Sequence, residues 1–204
     1  MTYSSQDKAR RRVPPICYVL LVIVRAVDEV HRRQAARLYW QAFGRKLGPP
    51  ERGIGLIERT RAMVAVDGDE LLGLAGFHLN GRSFVGLEAR DVWREFGWFG
   101  GSWRTLLLAL LERKPRPGEL LMDGLVAHPE RRGQGVGTAL LDAVITLARE
   151  QGLERVRLEV VDTNPAARRL YERVGFVPVR TTRTPYLRRL FGFGASTEMA
   201  LIVS

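Results

Sequence analysis

The chain has 204 residues, 46% of them hydrophobic and 26% charged, which suits one globular domain with a sizeable core. Its net charge of +10 favours anionic partners such as phosphate ligands, but no zinc-finger spacing, leucine zipper or aromatic–basic RNA module accompanies it, so no specific nucleic-acid role is expected. The single cysteine, Cys17, excludes an internal disulfide and agrees with a cytoplasmic compartment.

Residues 1–15 are polar, basic and proline-ended, and read as a flexible arm ahead of a single domain over 16–204. The run "ICYVLLVIV", residues 16–24, is too short to cross a membrane as a helix. Arg25 and Asp28 follow it closely and no small-residue cleavage site appears, so it reads as a buried first strand. Asp28 caps a helix to about Phe43, with Val30, Ala35, Leu38, Tyr39 and Ala42 giving much of its apolar face. "FGRKLGPPERG" breaks that helix, and a short helix near 54–59 follows. "AMVAV" and "ELLGLAGFHL" flank "DGDE", the pattern of a hairpin. Residues 80–118 carry Trp93, Trp98 and Trp103 beside Phe84, Phe96 and Phe99, with a helix over 103–113. This aromatic elaboration reads as a pocket wall, a homodimer surface or extra packing on the core.

The second half alternates strand and helix. "GELLMDGLVA", residues 118–127, is bounded by prolines and glycine and reads as a strand, followed by a helix over 136–150 and the strand "RVRLEVV", residues 155–161. "TNPAARRLYERVGF", residues 163–176, reads as a helix capped by Asn164, with Pro165 in its first turn and Gly175 past its end. Two strands, about 176–183 and 197–203, close the chain around the basic aromatic loop "TPYLRRLFGFGAS". The fold class is α/β rather than all-β.

The stretch "HPERRGQGVGTALL", residues 128–141, is the one with chemical content. Gly133, Gly135 and Gly137 alternate, and apolar residues then recur at helical spacing, so a helix begins inside the glycine run. A helix start presents unpaired N–H groups and a positive dipole end, to which glycine lets an anion come close. The residues alone leave two readings, an anion nest or a loop whose glycines relieve crowding. Neither the G-x-G-x-x-G fingerprint nor a P-loop is met.

"RRGQGVG" fits the pattern R/Q-x-x-G-x-G/A at Arg132, Gly135 and Gly137, and "NPAARRLYERVGF" fits N-x-x-A-x-x-L-Y-x-x-x-G-F, in that order and each after a strand. Over about residues 119–177 the chain thereby resembles the GCN5-related N-acetyltransferases, which transfer the acetyl group of acetyl-CoA to an amine. The resemblance implies the acyl-CoA N-acyltransferase fold: a mixed, mostly antiparallel sheet of about seven strands, helices on both faces, and a splay between the fourth and fifth strands. It implies that the pyrophosphate of CoA rests on Arg132, Gly133, Gln134, Gly135, Val136, Gly137 and Thr138, aided by Arg131, and that the pantetheine arm lies along Leu125, Val126 and Ala127. A bulkier valine is common where this chain has Ala127, a change that a backbone contact tolerates. Asn164 bonds the pantetheine arm or the turn, or simply caps its helix, and Ala167 is small where the cofactor passes.

Acetyl transfer needs donors for an oxyanion and a proton for the departing thiolate. The resemblance assigns a backbone N–H near Val126 or Ala127 to the carbonyl and Tyr171 to the sulfur; the plainer reading of Tyr171 is an amphipathic core residue. Glu159 with Tyr171 resembles the glutamate–tyrosine pair of the bacterial ribosomal-protein N-terminal acetyltransferases. Glu119 and Asp123, set on one strand face by alternation, are further base candidates, as are Glu88 and Asp91 should their segment close over the substrate. His78 ends a strand toward the acceptor cleft, His128 lies in the turn, and His31 has no partners at metal-ligand spacing, so no metal is expected. Direct transfer is preferred to an acyl intermediate on Cys17, which lies on the far first strand. The acceptor is read as a primary amine of a small molecule or peptide, and the basic loop 181–194 disfavours strongly cationic ones. A protein N-terminal acetyltransferase and a non-catalytic acyl-CoA-binding regulatory module are the alternatives.

Overall fold

The computed structural model describes residues 23–43, 61–79, 115–185 and 188–203. The basic arm, Cys17, the helix near 54–59, Glu88, Asp91 and the three tryptophans of the aromatic elaboration lie outside the described residues.

Seven strands form one sheet: β1 (Ile23–Ala26), β2 (Ala62–Asp67), β3 (Glu70–His78), β4 (Glu119–Ala127), β5 (Arg155–Val161), β6 (Val177–Arg183) and β7 (Ala195–Ile202). Their order is β1-β2-β3-β4-β5-β7-β6, antiparallel throughout except between β4 and β5. The helices are α1 (Glu29–Phe43), α2 (Val136–Glu150), α3 (Pro165–Val174) and the single turn α4 (Arg188–Phe191).

The sheet is sandwiched. On one face α1 buries Ala35, Ala36 and Leu38 against Val64, Val66, Leu74 and Val126. On the other, α2 buries Leu140, Leu141, Val144 and Ile145 against Leu72, Leu120, Val156 and Leu158, and α3 adds Tyr171. Each of these leucines contributes roughly 1.5–3 kcal/mol by leaving water, so the two helix layers hold the sheet from both sides.

Local chemistry sets the ends of the elements. Asp28 accepts the His31 N–H at 2.9 Å and starts α1. Gly68, at φ +57°, turns β2 into β3. Asn164 accepts the Ala167 N–H at 3.1 Å, and Gly175, at φ +108°, ends α3.

Two expectations are corrected. The described part of the first strand is an edge strand paired with β2 alone, and Ile23 is 50% exposed rather than buried. In α1 the inner stripe is His31, Ala35, Ala36, Leu38 and Trp40, whereas Val30 is 67% exposed and Ala42 is also exposed. His31 enters this stripe with Nδ1 bonded to Asp28 at 2.7 Å, while its Nε2 is buried with no hydrogen-bond partner among the described residues.

β4 carries the feature that shapes the site. It pairs in parallel with β5 only through Glu119–Leu121 against Arg155–Arg157, then the two strands part. On its other edge Gly76 faces Gly124 while Phe77 faces Met122, which leaves Asp123 as the extra residue of a β-bulge. A bulge bends a strand and switches the faces of the residues beyond it. Leu120 and Met122 point to the α2 side, and so do Leu125 and Ala127 past the bulge, while Val126 turns to the α1 side. The splay between the fourth and fifth strands thus begins where the bulge sits.

Candidate active site

At the end of β4 the His128 N–H donates to the Leu72 carbonyl at 2.7 Å, extending the ladder by one residue. A 3-10 turn over Pro129–Arg131 follows, then Gly133 at φ +76° and Gly135 at φ +85°. Gly135 is the N-cap of α2, and no side chain caps that end. The first bond of the helix runs from the Ala139 N–H to the Gly135 carbonyl at 3.0 Å. The amides of Val136, Gly137 and Thr138 precede that bond, and the helix geometry gives them no partner.

The glycines divide the work. A Cβ on Gly133 or Gly135 would meet nothing within 4 Å, so their value lies in the left-handed backbone and the open space beside it. A Cβ on Gly137 would stand 2.9 Å from Leu170 Cδ2, so this glycine lets α3 approach α2. Gly73 is a residue that the sequence patterns did not single out: a Cβ there would lie 2.8 Å from the Val126 carbonyl oxygen and 2.9 Å from Val136 Cγ1. Having no side chain at this position seats the first residue of α2 on β3. A lone glycine within an apolar strand is the signal that marks such a close approach.

The two arginines of the turn differ. Arg131 grips Glu70 of the β2–β3 hairpin through Nε at 3.1 Å and Nη2 at 2.6 Å, and this holds the Glu70 carboxyl below its ordinary range. Its charge is thereby directed to the hairpin. Arg132 is exposed and forms no ion pair among the described residues.

The gap between β4 and β5 opens beside this helix start. Because His128 and Leu72 form a hydrogen-bonded pair, the antiparallel alternation turns the Val126 amide toward Leu74 and the amides of Leu125 and Ala127 toward the gap. Of the two amides expected near the carbonyl, that of Ala127 faces the gap and that of Val126 faces β3. Asn164 commits its side-chain oxygen to the Ala167 amide. Tyr171, buried against Phe176 with ring centroids 6.0 Å apart, has its hydroxyl pushed up to about 12 by burial.

The α1 side of the same gap is polar. Glu119, 5% exposed, takes Arg157 Nε at 2.9 Å, Arg157 Nη2 at 2.6 Å and the Arg116 N–H at 2.6 Å, all on Oε1. Arg157, 4% exposed, also reaches Glu198 at 3.4 Å. A carboxylate so held joins the parallel ends of β4 and β5 beneath the splay, which favours a structural role for Glu119 over that of a base, although its Oε2 is buried with no hydrogen-bond partner among the described residues. Glu159 lies opposite Glu198 and is partly exposed. Asp123 shares the α1 side, where its carboxylate meets His78 Nε2 at 2.6 Å and, together with burial, raises the Tyr39 hydroxyl.

The sequence model of the acetyltransferase (GNAT) family matches residues 28–176. The chain belongs to the GNAT family. A mycothiol acetyltransferase of Propionibacterium freudenreichii is 33% identical over 132 residues, which cover 65% of this chain and 36% of that protein. The mycothiol acetyltransferase of Beutenbergia cavernae is 42% identical over 62 residues, 30% of this chain and 20% of its own length. The match thus spans a minority of those curated relatives. Among solved structures, the ribosomal-protein-S18-alanine N-acetyltransferase of Escherichia coli aligns with TM-score 0.60 at 17% identity, over 90% of this chain and 95% of that one. Salmonella typhimurium yncA, solved with its cofactor acetyl-CoA, aligns with TM-score 0.62 at 15% identity, over 90% and 94%. At these identities the likeness is one of fold. The GNAT fold accounts for the mixed seven-stranded sheet and its single parallel pair. No helix among the described residues is long and apolar enough to cross a membrane.

Proposed function

We propose that this protein is an acetyl-CoA-dependent N-acetyltransferase that moves the acetyl group directly to a primary amine of a small molecule or peptide. The observation that carries the reading is the uncapped start of α2, with open space beside Gly133 and Gly135, standing next to the gap between β4 and β5. The donors fit the group: the amides of Arg132 to Thr138 would hold a pyrophosphate, and the gap-facing amides of Leu125 and Ala127 would hold a pantetheine arm as an added strand does. Arg132, rather than the engaged Arg131, is the turn's arginine for the phosphates. When bound, acetyl-CoA supplies an acetyl thioester, whose carbonyl is already activated.

The chain's own residues then divide the proton handling between the two faces of the sheet. Tyr171, on the α2 side, keeps its proton well above neutral pH and is the donor for the leaving sulfur. Asp123 and Glu159, on the α1 side, face the acceptor. A cytoplasmic setting belongs to the same proposal. Calorimetry with acetyl-CoA, followed by thiol release in the presence of an alanine-initiated peptide, a lysine peptide, spermidine and glucosamine, tests it. Micromolar binding with release stimulated by at least one amine is expected; no heat of binding would sink it.

A further inference from the structure

The geometry points to His78 as the catalytic base, with Asp123 as the positioning residue that sets its tautomer; this assignment rests on the transfer reading above. The two come from different strands, His78 from the end of β3 and Asp123 from the bulge of β4, and are brought together because the bulge adds one residue on the side facing β3. Nε2 of His78 lies 2.6 Å from Asp123 Oδ1, with both side chains mostly buried at 17% and 14% exposure. A carboxylate paired at that distance favours hydrogen on Nε2, which in the neutral ring puts the lone pair on Nδ1. None of the described residues bonds to Nδ1. A neutral imidazole oriented by a carboxylate is the arrangement a general base requires.

The location fits the task. The bulge marks the mouth of the splay, and the pair lies on the α1 side of the sheet, opposite Tyr171. The groups around it are Asp123 itself, Tyr39 from α1, and Arg157 and Glu159 from β5 on the same face. Glu119, the other carboxylate of β4, is occupied by Arg157. As the amine nitrogen forms its bond to the thioester carbon, the nitrogen gives a proton to His78 Nδ1. The C–S bond breaks with its electron pair on sulfur, and sulfur takes the phenolic proton of Tyr171. Exchange with water returns the proton of His78 to solvent and reprotonates Tyr171.

The test is the pH profile of thiol release from acetyl-CoA with the amines named above, in the wild-type protein and in His78→Gln and Asp123→Asn. Wild type should show a limb that rises with pH and belongs to the His78–Asp123 pair. His78→Gln should lose that limb and about 100-fold in kcat while binding acetyl-CoA as wild type does by calorimetry. Asp123→Asn, whose amide can donate to Nε2 and force the wrong tautomer, should lose a similar factor of about 100 and displace the limb. Nitrogen-15 NMR of the wild-type protein saturated with acetyl-CoA should find His78 with hydrogen on Nε2 and a bare Nδ1. An active His78→Gln within about threefold of wild type, with its limb intact, or hydrogen on Nδ1, would overturn the assignment alone. Wild-type protein that releases no thiol with any of the amines overturns the transfer reading and this assignment with it.

Discussion

Glu70 and Arg131 are joined by two hydrogen bonds, Nε to Oε1 at 3.1 Å and Nη2 to Oε2 at 2.6 Å, and so tie the β2–β3 hairpin to the turn that precedes α2. Both groups are substantially exposed, so the pair is screened by solvent and matters for charge placement more than for folding. Glu70→Gln removes a negative charge near the proposed phosphate site and releases a guanidinium toward it. Acetyl-CoA should then bind about two- to fivefold tighter at low ionic strength, with the difference fading by about 0.5 M salt. Calorimetry at two salt concentrations decides; weaker binding would mean that the pair holds the turn in its competent shape.

The glycines of the turn predict unequal effects. Gly135→Ala forces a side chain into a left-handed backbone and should cost about 1–2 kcal/mol, along with a loss of acetyl-CoA affinity as the amides rearrange. Gly137→Ala meets only the end of the Leu170 side chain, which can shift, and gains helix propensity of about 1 kcal/mol. Its stability and affinity should stay near wild type. Urea midpoints and calorimetry on the two variants check the ranking, and equal damage at both positions would contradict it.

The legible parts of this fold are those whose signals are local. The bounds of β4, α2 and β5 coincide with what prolines, glycines and apolar spacing indicate, and Asn164 and Gly175 cap α3 as their residue types require. The splay was legible only through the family resemblance, since a strand reading "ELLMDGLVA" does not reveal whether Asp123 is in register or bulged. That depends on which residues β3 presents opposite it. For the same reason neither Glu70–Arg131, Glu119–Arg157 nor His78–Asp123 could be paired from sequence, because each joins separate elements. The rotation of α1 was equally hidden, since His31 took a core position and left Val30 outside.

Glu119 and Arg157 predict a stability effect where catalysis would be the usual reading of a carboxylate on this strand. Glu119→Gln takes the negative charge away from the shortest contacts of a guanidinium that is 4% exposed, and should cost about 3 kcal/mol. Replacing both with leucine and methionine should recover much of that loss, since apolar packing can stand in for a buried pair. Urea denaturation of the three proteins is the measurement. A Glu119→Gln protein of wild-type stability but without transfer activity would restore Glu119 as a base candidate.

Tyr171 predicts both a rate and a pH dependence. If it supplies the proton to sulfur, Tyr171→Phe should lower kcat by about 100-fold and leave acetyl-CoA affinity nearly unchanged, since the ring's packing on Phe176 survives. Retained binding with an unchanged chemical step would instead show that Tyr171 is not the acid. The raised pKa also links to folding. Below pH 10 the hydroxyl is protonated in both states, and between about 10 and 12 the unfolded chain loses its proton while the folded protein keeps it. Stability therefore falls as pH rises through that window, by about 2–3 kcal/mol at its upper end. Tyr171→Phe should reduce this slope and leave the comparable part due to Tyr39, whose hydroxyl is raised by burial and by Asp123. Denaturant midpoints from pH 9 to about 11.5 measure the difference, and parallel curves for the two proteins would show that the phenol is not buried in solution.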